Sequence, residues 1–276
     1  MIDIHTHIGR IMYGERFLKP AELLQFMDRN RIEKAVVLPI ENPEELDYYV
    51  TTEEVLRAYR RYPDRIIPFC NVDPRHCTND GNWDPTPIIT EYVDQGCRGF
   101  GEVLANMRVD DNRMQRIYQV CGKLGLPITI HFGKLNGLYD EIGLPHFEEM
   151  LKKYPQTIFL GHAVFWYEIF AQTKEDAKPG YPKEKIIPGG QLDRLFSIYP
   201  NLYGDLSANS GYYAISRDPE FGKAFLERHA KQLLFGTDYL RLGQETPIIE
   251  FLKHIGLDKK TYQAIVKDNA KRILKF

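Results

Sequence analysis

Eight short apolar segments recur along the chain, each followed by a helical pattern, and this repeat limits the available folds more than any other feature. The segments end near His5, Pro39, Asn71, Glu102, His131, His162, Leu206 and Asp238. Successive ends lie about 30 residues apart, the length of one strand-helix unit, and only the step from His162 to Leu206 is longer. Strands that alternate with helices imply a parallel sheet. Segments such as Lys34-Ala-Val-Val-Leu-Pro39 and Thr157-Ile-Phe-Leu-Gly-His162 are apolar without strict alternation, as expected when both faces are covered. Eight such units fit an α/β (β/α)8 TIM barrel better than an open doubly wound sheet. The Gly-x-Gly-x-x-Gly turn that such a sheet often uses is also missing. A chain of 276 residues suits one barrel domain spanning 1–276.

The long step marks an insertion at about residues 165–190, after the sixth strand. It is charged and broken by proline at Lys174-Glu-Asp-Ala-Lys-Pro-Gly-Tyr-Pro-Lys-Glu-Lys185. On a barrel this loop lies on the catalytic face, part lid and part surface. The aromatic run Phe165, Trp166, Tyr167 and Phe170 reads either as a pocket wall or as the interface of a homodimer.

Charge and cysteine usage exclude several classes of function. With 36 basic and 38 acidic residues the formal net charge is −2, which gives no electrostatic footprint for nucleic acid or an anionic membrane. No apolar run approaches the roughly 20 residues that span a bilayer, and no signal peptide is expected. Cys70, Cys77, Cys97 and Cys121 form no C-x-x-C pair and read as buried or incidental thiols, suited to a reducing cytoplasm. The expected partner is a small-molecule substrate.

In a barrel of this kind, catalytic side chains come from the C-terminal ends of several strands. Here those ends carry His5 and His7, then Glu102, His131, His162 and Asp238. On a regular strand, Ile2 and Ile4 face one way and Asp3, His5 and His7 the other. Imidazoles and carboxylates gathered in an enclosed mouth are costly unless a metal or mutual pairing compensates them. The residue types suit Zn, with Mn or Fe (or Co) as alternatives, and no thiolate takes part. Six ligands exceed the need of one tetrahedral ion. The set therefore points to two ions bridged by Glu102, one held by His5, His7 and Asp238 and the other by His131 and His162.

These motifs together resemble the amidohydrolase superfamily across nearly the whole length. The details that resemble its amidohydrolase-2 branch are Ile2-Asp-Ile-His-Thr-His7, Asn71-Val-Asp-Pro74, Asp205-Leu-Ser207, Phe235-Gly-Thr-Asp238 and Asp268-Asn-Ala-Lys-Arg-Ile-Leu274. Strand four reads Gly99-Phe-Gly-Glu-Val103 and lacks the bridging lysine of dihydroorotase-like members. Its Gly-Glu pair is similar to the glutamate of TatD-like and phosphotriesterase-homology members.

The resemblance implies a metal-dependent hydrolase that acts on a small amide, ester or lactone through a metal-bound hydroxide. Asp238 is then both a ligand and a proton carrier. His162 either holds the second ion or, with one ion, polarises the carbonyl as a catalytic residue. Ser207 is expected to contact substrate or support a ligand. Arg10 and Arg241, close after the metal motifs, are expected to bind an anionic group of the substrate. The branch also contains one-metal, non-oxidative decarboxylases of small unsaturated or aromatic acids, which is the alternative activity.

Overall fold

The computed structural model describes residues 1–10, 16–43, 49–76, 83–169 and 185–276. Ten strands follow in order: β1 (Ile2–Thr6), β2 (Lys34–Val37), β3 (Ile66–Pro68), β4 (Phe100–Val103), β5 (Met107–Arg108), β6 (Ile128–Phe132), β7 (Leu138–Tyr139), β8 (Phe159–Ala163), β9 (Leu202–Asp205) and β10 (Leu233–Leu234). All the strand pairs are parallel. The two-residue strands β5 and β7 form an annex beyond β6 that the sequence pattern does not announce. The remaining eight are the expected barrel strands.

Two junctions close the barrel. A parallel bridge from Cys70 to Phe100 joins β3 to β4. At the other seam, Phe235 O accepts from Ile4 N–H at 2.9 Å, Asp238 N–H donates to His5 O at 2.8 Å, and Tyr239 O accepts from His7 N–H at 3.0 Å. These bonds carry the run after β10 alongside β1. The expected strand 233–238 therefore survives as an extended edge of which only Leu233–Leu234 pairs regularly with β9.

Helices cover the outside: α1 (Pro20–Asn30), α2 (Thr52–Arg61), α3 (Thr86–Asp94), α4 (Asn112–Leu124), α5 (Pro145–Lys153), α6 (Gln191–Ile198), α7 (Ala208–Ser216), α8 (Pro219–Arg228), α9 (Ile248–His254), α10 (Lys259–Gln263) and α11 (Asn269–Leu274). A π turn, Ala264–Asp268, joins the last two. Capping is local and legible. The Asp111 and Asp218 carboxylates accept N–H bonds from the first turns of α4 and α8, and Thr51 and Glu54 form a capping box on α2. Helix α7 is not foreseen from its sequence, Ala-Asn-Ser-Gly-Tyr-Tyr. Its Gly211 is needed because a Cβ there would lie 2.5 Å from the Leu206 carbonyl. None of the described helices is long and apolar enough to cross a membrane.

Most of the core lies between strands and helices. A second cluster fills the barrel: Ile2, Ile4, Val36, Leu38, Ile67, Phe69, Leu160, Tyr203 and Leu234, with Ala270, Ile273 and Leu274 of α11. Within β2 and β3 these are every second residue, as the pleat requires. On β1 the alternation breaks. The register against β2 slips by one between Asp3 and Thr6, a bulge that leaves Ile4 in the interior cluster while His5 still reaches the rim. Asp3 accordingly does not share the side of His5; it reaches across to Thr237.

The insertion lies largely outside the described residues, as does Phe170. Its described start is a 3-10 helix, Val164–Ile169. Phe165 and Trp166 are fully buried there, so neither offers an interface or a pocket wall. The Trp166 indole N–H donates to the Asp205 carbonyl at 2.6 Å, which fixes the end of β9.

A second bulge lies in β4, between Phe100 and Val103. Gly101 makes it possible: its φ is +109°, and a Cβ would sit 2.5 Å from Thr129 O. Gly101→Ala is therefore expected to cost about 2 kcal/mol or more in denaturant unfolding and to lower metal content by displacing Glu102.

Candidate metal centre

The bulges and the seam converge on one point. His5 Nε2 and His7 Nε2 are 3.1 Å apart. Glu102 Oε2 lies 3.3 Å from each of them. Asp238 Oδ1 lies 3.6 Å from His5 Nε2 and 3.5 Å from His7 Nε2. Ligands bound about 2.0–2.2 Å from a tetrahedral ion are separated by roughly 3.3–3.6 Å, so the His5, His7 and Asp238 atoms are spaced for one ion, with Glu102 Oε2 set against both imidazoles.

The outer ring nitrogens decide the chemistry of the quartet. His5 Nδ1 is hydrogen-bonded to Asp205 Oδ2 at 2.6 Å, and His7 Nδ1–H donates to the Leu38 carbonyl at 2.9 Å. Both Nδ1 atoms thus carry hydrogen, and the neutral rings direct Nε2 lone pairs inward. Two lone pairs and two carboxylate oxygens then face each other in a buried space. Only added positive charge, a metal ion or protons, makes that arrangement favourable. In the metal-free protein protons supply it. Burial opposes charging His5, but the adjacent Asp205 and Glu102 carboxylates outweigh burial and raise its pKa well above normal. Burial is likewise overcome at His7, by hydrogen bonds to Asp238 and Glu102.

Glu102 turns its other oxygen to a second pair of histidines. Oε1 is hydrogen-bonded to His131 Nδ1 at 2.6 Å and lies 3.5 Å from His162 Nε2. Glu102, His131 and His162 could hold a second ion. The contact with His131 is a closed hydrogen bond, so an ion enters this half only when the partly exposed His131 ring moves back. Burial first, and the charge of His5 second, push the His162 pKa down to about 4, which keeps that ring neutral at neutral pH.

The supports of the centre are buried too. Asp205 holds His5, lies 3.5 Å from His162 Nδ1 and accepts from Ser207 N–H at 3.0 Å. Asp3 accepts from Thr237 Oγ1–H at 2.6 Å, Thr237 N–H at 3.0 Å and His5 N–H at 3.1 Å, tying the first strand to the residue before Asp238. Asn71 Nδ2–H donates to the Glu102 carbonyl at 2.7 Å, and Asn42 Oδ1 accepts from Leu104 N–H at 2.8 Å. Sequence reasoning singled out the rim ligands but gave Asp205 no role. Its place at the end of β9, level with the other strand ends, was the available signal.

The expected substrate contacts separate. Ser207 is fully buried, and its hydroxyl is hydrogen-bonded to His162 Nδ1 at 3.0 Å, which orients that ring. Arg10 is exposed just after His7. Arg241 lines a cavity of about 600 Å3 that opens beside Thr237 and Asp238 and is walled by Asn209, Tyr212 and Tyr213.

No family model matches the sequence, and no curated protein matches it. Solved structures do match in shape. An uncharacterised TIM-barrel protein from Bordetella bronchiseptica superposes with a TM-score of 0.69 at 17% identity, covering 100% of this chain and 99% of that one. A probable 2-pyrone-4,6-dicarboxylic acid hydrolase from Acinetobacter baumannii, solved with citric acid, gives 0.66 at 13% identity, with coverage of 100% and 99%. A 5-carboxyvanillate decarboxylase from Novosphingobium aromaticivorans, complexed with manganese and 4-hydroxy-3-methoxy-5-nitrobenzoic acid, gives 0.66 at 14% identity, with coverage of 100% and 96%. At these identities the likeness establishes the TIM-barrel fold over the whole chain.

The charge balance has a measurable consequence in metal-free protein. The raised His5 and His7 contribute stability that is fully present below their ordinary pKa of 6.5 and is lost as pH rises through their folded values. Asp3, raised to about 7 by burial, loses stability as pH rises from its ordinary 3.8 to about 7, whereas His162, lowered to about 4, gains it from about pH 4 to 6.5. Glu102 and Asp205 are depressed by the neighbouring His5 despite burial; their contribution is present above the ordinary values of 4.5 and 3.8 and is lost in acid. Melting temperature without metal should therefore peak between about pH 4.5 and 6.5 and fall toward pH 8. Adding Zn or Mn at pH 8 should reverse that fall, because the ion replaces the lost protons. A flat profile with no metal response would reject this account of the centre.

Proposed function

We propose that the chain is a metal-dependent hydrolase of the amidohydrolase-2 branch, acting on a small amide, ester or lactone. The observation that carries this reading is the division of Glu102. One carboxylate oxygen faces the Nε2 atoms of His5 and His7, and the other faces His131 and His162. In this reading His5, His7, Asp238 and Glu102 hold one divalent ion, and Glu102, His131 and His162 hold a second. Zinc is the first choice for such imidazole and carboxylate ligands, with manganese or iron also compatible.

When bound, the ions lower the pKa of water toward roughly 7 and polarise a substrate carbonyl. The protein's own groups do the rest. Asp238 stands between the ligand quartet and the cavity, its side chain 18% exposed, where a carboxylate can accept a proton from the attacking water and return it to the leaving group. His162 stays neutral, oriented by Ser207 and Asp205. Arg241 on the cavity wall suits a substrate that carries a carboxylate or phosphate, and Arg10 stands outside as a secondary contact. A cavity of this size admits a small molecule, in line with the small-molecule reading.

A second reading is a one-metal, non-oxidative decarboxylase of a small unsaturated or aromatic acid. The closed Glu102–His131 hydrogen bond favours it, since only the His5, His7 and Asp238 half is spaced for an ion without movement. Decarboxylases among the structural neighbours support this second reading, as the probable hydrolase among them supports the first.

Metal content and turnover together distinguish the two. The hydrolase reading expects two ions per chain, the second bound at least about tenfold more weakly because His131 must move. It also expects Glu102→Gln to lower turnover by about 100-fold or more on a lactone, amide or ester supplied with Zn or Mn. One ion per chain, unaffected by Glu102→Gln, together with CO2 release from hydroxybenzoates, would establish the decarboxylase instead.

A further inference from the structure

A second cleft, of about 870 Å3, opens between the end of α1, the end of α9 and the α10–π turn segment. It includes Met1, so it lies at the opposite end of β1 from His5. Among the described residues that line it, five are cationic (Arg29, Arg31, Lys253, Lys259 and Lys267) and none is acidic. In a chain of net charge −2, such a concentration of one sign is not a background effect. Lys253 pairs with Glu250 and Lys267 with Glu33, both from outside the lining. Among the described residues, Arg29, Arg31 and Lys259 have no carboxylate partner.

Helix stability explains part of this set and fails for the rest. Arg29 and Lys253 occupy last turns, where the helix dipole favours a cation. Lys259 is the first residue of α10, where the same dipole disfavours one. Arg31 caps α1 with φ of 57°, a left-handed position that favours glycine over a branched cationic side chain. The π turn, a device frequent at functional sites, brings Lys267 and Val266 to the cleft wall. Leu252, Leu257 and Tyr262 add apolar lining to the same cleft.

We propose that this cleft binds a small molecule that carries two or more adjacent phosphates on a ring-bearing body, a nucleoside diphosphate being the type. Arg29, Arg31 and Lys259, cations on the wall of one cleft, are the groups that would meet the phosphate oxygens. The apolar lining matches the ring, and the volume lies within the usual range for small-molecule sites.

Titration calorimetry of ADP into the full, metal-loaded chain tests this. ADP should bind, adenosine should not, and affinity should fall as salt is raised. The R29Q/R31Q/K259Q variant should weaken binding at least about tenfold, while R57Q/K123Q/K231Q, an equal charge change at exposed sites elsewhere, should leave it unchanged. Arg31→Gly guards against misfolding of the triple variant. It should keep or raise the melting temperature, because glycine suits the left-handed cap, and still weaken ADP. Absence of ADP binding, equal binding of adenosine, or full ADP affinity in both R29Q/R31Q/K259Q and Arg31→Gly would overturn the proposal.

Discussion

The bond from Asp238 N–H to the His5 carbonyl, 2.8 Å long, is where the fold and its centre become one object. It belongs to the seam that closes the barrel. It also brings a carboxylate from the end of the chain beside two imidazoles from its start. Residues separated by most of the sequence thus become ligand neighbours only if the eight strands close in register. Asp3 reinforces the seam by accepting three buried hydrogen bonds from His5 and Thr237. Each of those donors would otherwise be buried without a partner, at a cost of about 1–3 kcal/mol apiece.

Closure alone would leave four acceptor atoms facing one another. Their outer hydrogen bonds, to Asp205 and the Leu38 carbonyl, prevent the imidazoles from turning away. The centre is therefore rigid and demands positive charge. Its two halves differ in readiness. The quartet around His5 and His7 is held open by bonds on its outside. The pair of Glu102 and His131 is held closed by a bond on its inside. That asymmetry separates a one-ion from a two-ion chemistry.

Both bulges serve the same end. Strict pleating would alternate every side chain between interior and exterior. The slip in β1 lets Ile4 fill the barrel and His5 still reach the rim, and the slip in β4 delivers Glu102. Asn71 and Asn42 then pin the peptides that follow, from the strands before. At the opposite end of the barrel the cationic cleft is built from helix ends, without any of these constraints.

The repeat of apolar segments was sufficient to determine the barrel, because its period is local and each segment reports its own burial. The rim residues His5, His7, Glu102, His131, His162 and Asp238 were legible for the same reason: all end strands, and strand ends share one face in a barrel. The roles of Asp205, Asn71 and Trp166 were not legible, and for Ser207 the choice between substrate and a ligand histidine stayed open. Each is defined by a partner distant in sequence, and a lone polar or aromatic residue near a strand end does not say whether it faces substrate or a neighbouring side chain. The bulge in β1 was equally hidden, since a one-residue slip leaves no mark on composition and depends on pairing with β2. The residue types and their order come from the sequence; the spacing that suits an ion comes from closure, because only a closed ring of strands sets the distance between side chains on opposite ends of the chain.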